Sequence, residues 1–275
     1  PRSTHCISSA ASDVYKRQAQ HILYLEQRRL GIAVQSLIKI LGGSMYTAFI
    51  QSLNNMIYKV EQADVISKPW PHMYVSEVIN QNYREWLEYE TANNLVHEYD
   101  ELGGRDDWIL TPQEVHSADV RLFNKLTDKL FHAIADKFGN DVEDAPEPTV
   151  RFWKDTNKLL INDIHTDEFY DPTKFTISAM IYLPKDSSQR QYGTRLYSYI
   201  GDDLTSDAVQ DEGMANPHMA HPDKEHKWKH EVTVPFMPNT MFITTNAPGT
   251  WHQAPTNIAP GDVRESVMIR WKCEY

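Results

Sequence analysis

The spacing of the apolar residues along this chain changes near residue 148. Before that point it follows the helical period of about 3.6 residues, and after it the apolar residues fall in short runs typical of β-strands. Because Gly42 and Gly43 interrupt the first helical pattern, residues 20–62 are predicted to form a helical hairpin. Further helices are predicted near residues 77–91 and 123–138.

The second half of the chain is predicted to be mainly β. Its runs are separated by Pro, Gly, Asp and Asn turns, with no helical pattern between them. Several short strands without intervening helices favour a sandwich or barrel over a parallel sheet, with the earlier helices flanking it. The predicted strands lie near residues 150–153, 175–183, 194–199, 231–236, 241–245 and 263–271.

The sequence divides into three predicted parts. Residues 1–18 contain the run SSAASDVYKRQ, which resembles translated sequencing-adapter read-through, and we expect them not to be native. Residues 19–66 form the helical hairpin, whose role the sequence does not show. Residues 67–275 form the β-rich domain, which begins with a proline-containing break at residues 68–72.

The composition narrows the range of partners and compartments. The formal net charge is −11 over 275 residues, so a general nucleic-acid or anionic-membrane surface is not expected. No apolar run approaches the roughly 20 residues that span a bilayer, and the start of the chain lacks the order of a signal peptide. We therefore expect a cytoplasmic protein with no membrane or nucleic-acid partner.

Cysteine chemistry contributes little to this protein. Cys6 and Cys273 are the only cysteines, and they lie at opposite ends of the chain. Neither a disulfide framework nor a cysteine-based zinc site is available to such a sequence. Any bound metal must therefore be held by His, Asp or Glu.

Two His-x-Asp triplets compete as the start of a metal site. One runs from His165 to Asp167 and the other from His221 to Asp223. Such a triplet is weak evidence without structural context. The first lies between an apolar run and a long β-prone segment, whereas the second lies in a polar stretch with a proline in its middle. We therefore favour the first triplet.

A third candidate ligand, His252, follows a predicted strand and a tight turn. Two imidazoles and one carboxylate can occupy one face of an octahedral metal and leave the opposite positions open, which suits a non-haem Fe(II) oxygenase. The predicted metal ligands are His165, Asp167 and His252. A cluster of four further histidines, at positions 218, 221, 226 and 230, could bind a second metal or simply be solvated.

An anion site is predicted beside the metal site. Strand alternation from residue 263 puts Arg264 and Ser266 on one face, and a guanidinium beside a hydroxyl is a good carboxylate receptor. Arg264 could therefore hold the far carboxylate of a 2-oxo acid bound to the same iron. Tyr182 is a further candidate donor to this carboxylate. Arg151 could face the cofactor or form a surface ion pair.

Together these residues resemble the 2-oxoglutarate/Fe(II)-dependent oxygenases over about residues 69–275, in particular prolyl-hydroxylase-like members and uncharacterised bacterial, marine and phage-type members. Residues 181–186 with 192–197 resemble that family's strand, turn and Gly-Thr return. Residues 238–242 resemble the strand that leads to its second histidine. The chain departs from many relatives at Tyr192-Gly193, where they have two glycines.

The resemblance implies a double-stranded β-helix, a cupin-like jelly roll. It implies Fe(II) on His165, Asp167 and His252, and 2-oxoglutarate with its distal carboxylate on Arg264 and Ser266. Molecular oxygen and an unidentified organic substrate would complete the reaction, in which decarboxylation to succinate is coupled to hydroxylation. Since Asp167 is not a small residue, the resemblance argues against the halogenating variant.

Two alternatives remain open from the sequence. One is a metal-binding cupin-like module without redox turnover, in which Arg264 serves a structural pair. The other is an assembly protein whose barrel is a relict. Neither alternative needs the three candidate ligands together with Arg264 and Ser266, so the hydroxylating dioxygenase is favoured.

Overall fold

The computed structural model describes most of the chain after residue 49. Three predictions lie outside the described residues: residues 20–49 of the helical hairpin, the triplet that begins at His221, and the candidate ligand Asp167. The described residues are 50–80, 83–93, 96–99, 104–110, 117–159, 164–166, 174–200, 228–246, 249–255 and 257–274.

Helices occur where the apolar period is helical, but their ends differ from the prediction. Helix α1 covers residues 50–62 of the described chain, α2 runs from Tyr83–Asn93, and α3 runs from Ser117–Phe138. Helix α2 begins later than the predicted residue 77, because residues 77–80 are not helical and Glu77 has a positive φ of 58°. The predicted apolar stripe of α3 is buried except at its last residue, Phe138, which is half-buried. Its buried members are Phe123, Leu126, Leu130, Phe131 and Ile134.

The strands form two antiparallel sheets. The larger has the order β1-β8-β5-β10-β4-β3-β2, and the smaller has the order β7-β6-β9. The strands are β1 His72–Ser76, β2 Val96–Tyr99, β3 Arg105–Ile109, β4 Thr149–Asp155, β5 Lys174–Tyr182, β6 Arg195–Tyr199, β7 Trp228–Thr233, β8 Thr240–Asn246, β9 His252–Gln253 and β10 Arg264–Glu274.

The chain passes between the two sheets in the order of a double-stranded β-helix. Strand β4 lies in the large sheet, His165 bridges to the small sheet, and β5 returns to the large one. Strands β6 and β7 are in the small sheet, β8 is in the large one, β9 is in the small one, and β10 ends in the large one. This alternation is a jelly roll, and it confirms the predicted mainly β fold class.

The flanking helix α3 packs on one face of the large sheet. The ring of Phe131 on α3 lies 5.9 Å from that of Trp271 on β10, centroid to centroid. Because side chains alternate along a strand, Arg264 and Ser266 lie on the opposite face. The helix therefore supports the sheet from behind and leaves these polar residues on the face toward the small sheet.

Helix α1 belongs to the same compact unit as the sheets, which spans residues 48–275. Leu53, Met56 and Val60 on this helix are fully buried. The hydroxyl of Ser52 accepts a hydrogen bond from the Asn80 backbone N–H at 2.8 Å. The predicted division at residues 66 and 67 stays a prediction. None of the described helices is both long and apolar enough to cross a bilayer.

Candidate functional site

The two predicted histidine ligands lie directly opposite each other. His165 and His252 form an antiparallel bridge, with backbone N–H to carbonyl distances of 2.9 and 2.8 Å. Their ring centroids are 4.4 Å apart. Residues 87 positions apart in the sequence thus present two imidazoles side by side, an arrangement that two ligands of one metal require.

A hydrogen bond to the backbone orients the His252 ring. Its Nδ1 lies 3.0 Å from the carbonyl oxygen of Thr250, which can only accept, so Nδ1 carries the proton. This bond fixes the tautomer in which Nε2 keeps its lone pair for a metal. Within the part of the chain that the structure describes, no three His, Cys, Asp or Glu residues cluster, and Asp167 lies outside that part.

Arg264 is buried, and its guanidinium is only partly engaged. Its side chain is 2% exposed. Nε donates to the Tyr192 carbonyl at 2.9 Å, and Nη1 donates to Asp155 at 2.9 Å and to the Ser266 hydroxyl at 3.4 Å. No hydrogen bond links Nη2 to any of the described residues. The arginine therefore keeps one terminal nitrogen for an anion.

Asp155 and Tyr192, which sequence reasoning missed, hold this arginine in place. Asp155 is fully buried, and Arg105 also donates to it, from Nε at 2.7 Å. The predicted strand stopped at residue 153, two positions before this carboxylate. The available signal for Asp155 was an acidic residue two positions after the predicted strand. The contact of Tyr192 is made by its backbone carbonyl, for which the sequence gives no signal.

Tyr182 lies beside Arg264 with its hydroxyl already placed. Its hydroxyl oxygen is 2.7 Å from that of Thr194, and the guanidinium carbon of Arg264 lies 5.5 Å from the ring centroid. Burial raises the pKa of the Tyr182 phenol, although the charge of Arg264 opposes this shift. The phenol therefore stays protonated and remains a hydrogen-bond donor.

An apolar cluster connects the histidine pair with the arginine. Trp70 lies 6.5 Å from His252 at one end, between ring centroids, and Phe236 lies 5.3 Å from the guanidinium carbon of Arg264 at the other. The cluster's buried members are Trp70, Tyr182, Tyr192, Leu196, Val234, Phe236, Phe242 and Ile258. Both halves of the candidate site therefore border one apolar wall.

Two other polar residues have defined surroundings. The Arg151 Nη1 donates to the Asp107 carboxylate at 2.7 Å, so this side chain forms an ion pair. His72 is buried beside Trp70, whose carbonyl accepts its Nδ1–H at 2.8 Å. Burial lowers the pKa of His72, which keeps the ring neutral near pH 7.

The backbone around Gly193 leaves no space for a side chain at the start of the Gly-Thr return. A Cβ at this position would lie 1.5 Å from the carbonyl oxygen of Val234, so no other residue fits without backbone movement. The close approach brings Thr194 to the Tyr182 hydroxyl and the Tyr192 carbonyl to Arg264. Gly193 is therefore required by the close approach of two backbone segments.

No family model and no curated protein matches this sequence. Several solved structures resemble it. A prolyl-4-hydroxylase from Pseudomonas putida is 13% identical with a TM-score of 0.41, covering 81% of this chain and 99% of its own. The structure of prolyl 4-hydroxylases from Phytophthora capsici is 12% identical with a TM-score of 0.49, covering 82% of this chain and 65% of its own. A 2OG-Fe(II) oxygenase family oxidoreductase from Burkholderia pseudomallei is 13% identical with a TM-score of 0.41, covering 81% of this chain and 90% of its own.

These likenesses agree with the family that the sequence motifs resemble. At such low identities and TM-scores they carry no argument about chemistry. A functional assignment for this chain rests on its own side chains, above all the paired histidines and the partly engaged arginine.

Proposed function

We propose that the chain is an Fe(II)- and 2-oxoglutarate-dependent dioxygenase that hydroxylates a C–H bond of an organic substrate. The observation that carries the proposal is the pairing of His165 with His252 beside an apolar wall that also borders Arg264. Bound iron would supply oxygen activation, coupled to the decarboxylation of 2-oxoglutarate to succinate.

The donor set fits such a metal. His165 and His252 would provide two nitrogen ligands, and Asp167 is the proposed third ligand. The Nδ1–H of His252 donates to the Thr250 carbonyl at 3.0 Å, which orients the ring and favours the neutral tautomer with its lone pair on Nε2. These residues supply the ligand types that ferrous iron accepts.

The anion half fits the distal carboxylate of 2-oxoglutarate. Nη2 of Arg264 has two N–H groups and no acceptor among the described residues, so a carboxylate can meet it. The Ser266 hydroxyl lies 3.4 Å from Nη1, and the protonated Tyr182 hydroxyl is a second donor. The buried wall of Trp70 and Phe236 would keep bulk water from the bound co-substrate.

Succinate formation tests the proposal. Wild-type protein given Fe(II), 2-oxoglutarate and oxygen should form succinate slowly even without its substrate. Arg264→Ala should require about 10- to 100-fold more 2-oxoglutarate, since a hydrogen bond to a charged group contributes about 1.5–3 kcal/mol. Arg270→Ala, on the same strand and face, is the matched control and should behave as wild type.

One observation favours a second candidate, the metal-binding module without turnover. Arg264 pairs with Asp155 at 2.9 Å, which is the structural role that such a module would give it. That candidate predicts metal binding without succinate formation. It also predicts that Arg264→Ala changes the free energy of unfolding and leaves ligand binding unaltered.

A further inference from the structure

Three charged residues form one row across three neighbouring strands. Arg105 on β3 lies directly opposite Asp155 on β4, which lies directly opposite Arg264 on β10. The Asp155 carboxylate accepts from Arg105 Nε at 2.7 Å and Nη2 at 3.2 Å, and from Arg264 Nη1 at 2.9 Å. Two arginines therefore share one carboxylate.

Burial makes the charge balance of this row matter. The side chains of Asp155 and Arg264 are 0% and 2% exposed, whereas that of Arg105 is 24% exposed. If Asp155 faced Arg264 alone, the buried pair would be neutral and would attract an incoming anion weakly. Because Arg105 balances Asp155 from the other side, the row keeps one net positive charge.

We infer that Arg105 is a positioning residue for co-substrate binding: it holds Asp155 and so sets the affinity of Arg264 for a carboxylate that Arg105 does not touch. The inference rests on the proposed function. It explains why the inner arginine can carry a buried counter-ion and still bind a ligand anion. The guanidinium of Arg105 is itself held over the Trp153 ring, 4.0 Å from the centroid.

Substitutions can change the charge of the row without touching the ligand. Arg105→Gln makes the row neutral and should weaken 2-oxoglutarate binding about tenfold, the effect of a unit charge two strands or about 10 Å away at a dielectric constant of about 20. Arg105→Lys keeps the charge and should bind within a few fold of wild type. The double variant Arg105→Gln/Asp155→Asn restores the net charge and should recover affinity.

Arg151→Gln is the matched control. Arg151 also pairs across β3 and β4, with Asp107 at 2.7 Å, and its side chain is 27% exposed against 24% for Arg105. Its ion-pair partner is Asp107 rather than a member of the row. A loss of affinity caused by general weakening of these strands would therefore appear in both variants.

Isothermal titration of the Mn(II)-loaded full chain with 2-oxoglutarate and with glutarate, which lacks the 2-oxo group, measures the effect without turnover. Circular dichroism should show folded variants. We expect weaker binding of both acids by Arg105→Gln alone. Equal binding by Arg105→Gln and wild type, equal weakening by Arg151→Gln, or equal weakening by Arg105→Lys would overturn the inference. Should the double variant not fold, these three comparisons decide.

The same titration separates the inference from the proposed function. Wild-type protein that binds 2-oxoglutarate and never forms succinate would overturn the function and leave the charge row standing. Wild-type protein that binds neither acid would overturn both.

Discussion

The two halves of the candidate site are built in different ways. His252 lies on a strand of two residues, and His165 meets it through an isolated bridge. Arg264 begins a strand of 11 residues that pairs with β4 on one side and β5 on the other. The histidines are held by short backbone pairing, whereas the arginine is held by a long central strand and three side-chain hydrogen bonds.

This difference separates stability from function. Removing one partner of a buried ion pair strongly destabilises a fold. The arginine half contains such a pair, so it contributes to the stability of the folded core even without a ligand. The described backbone pairing of the histidine half is one short bridge, so a bound metal would contribute to its final geometry. Substitutions in the first half should therefore reduce both stability and binding, and those in the second should reduce only function.

Removing a histidine should have the largest effect on function. His165→Ala or His252→Ala should abolish succinate formation and iron binding in the assay, because two ligands of three no longer suffice. The free energy of unfolding of the metal-free variants, measured by thermal melts, should stay within about 1 kcal/mol of wild type, the usual range for half-exposed sites. His221→Ala tests the competing triplet and should remain active; its inactivity together with an active His165→Ala would move the metal site.

Removing Asp155 should have the largest effect on stability. Asp155→Ala leaves Arg264 buried without a counter-ion, which costs about 3–5 kcal/mol in free energy of unfolding. Chemical denaturation measures this loss. Asp107→Ala, which breaks the more exposed pair with Arg151, should cost about 1 kcal/mol or less. Similar losses in the two variants would contradict a special role for the buried row.

Gly193→Ala should damage the arginine half through the backbone. Its Cβ would overlap the Val234 carbonyl, so the strand must move and take the Tyr192 carbonyl away from Arg264. We expect a loss of about 1–3 kcal/mol in stability, as for other overpacked sites, together with weaker 2-oxoglutarate binding. Iron binding by the same variant should be unchanged, since the histidine half lies outside the disturbed backbone. A loss of iron binding would contradict the separation of the two halves.

Tyr182→Phe should have a smaller effect. It removes the hydroxyl that contacts Thr194 at 2.7 Å and keeps the ring beside Arg264. The expected cost is about 0.5–1.5 kcal/mol in stability or in 2-oxoglutarate binding. A titration of Tyr182→Phe against wild type checks it, and a loss of iron binding would contradict its place in the arginine half.

The smallest effect concerns pH and the wall beside His252. Burial lowers the pKa of His72 below its ordinary value of 6.5, so the unfolded chain binds this proton more readily than the folded one. Stability should therefore fall as the pH drops below about 6.5, down to the folded pKa. His72→Phe should reduce that slope in thermal melts, and an unchanged slope would show that His72 does not set it.

Local periodicity, which a single sequence shows directly, allowed the β-rich second half, the α3 stripe and the placement of Arg264 and Ser266 on one face to be predicted. The jelly roll itself was implied by the family resemblance. The contacts of Asp155 with Arg105 and Arg264 depend on the register between strands far apart in the chain, which periodicity does not encode.

The direct pairing of the two histidines could not be predicted from the sequence either. Strand context favoured His165 over His221, but it did not show that His165 and His252 would lie directly opposite each other. Gly193 also had a physical reason that only the fold reveals, the approach of the Val234 carbonyl.

The most direct test of the proposed function is an anaerobic visible absorption spectrum of the protein with Fe(II), before and after addition of 2-oxoglutarate. A 2-oxo acid that chelates iron held by His165, Asp167 and His252 should give a weak metal-to-ligand charge-transfer band in wild-type protein. The band should be absent in His165→Ala and retained in His221→Ala. Folded wild-type protein that gives no band at saturating 2-oxoglutarate would contradict the account.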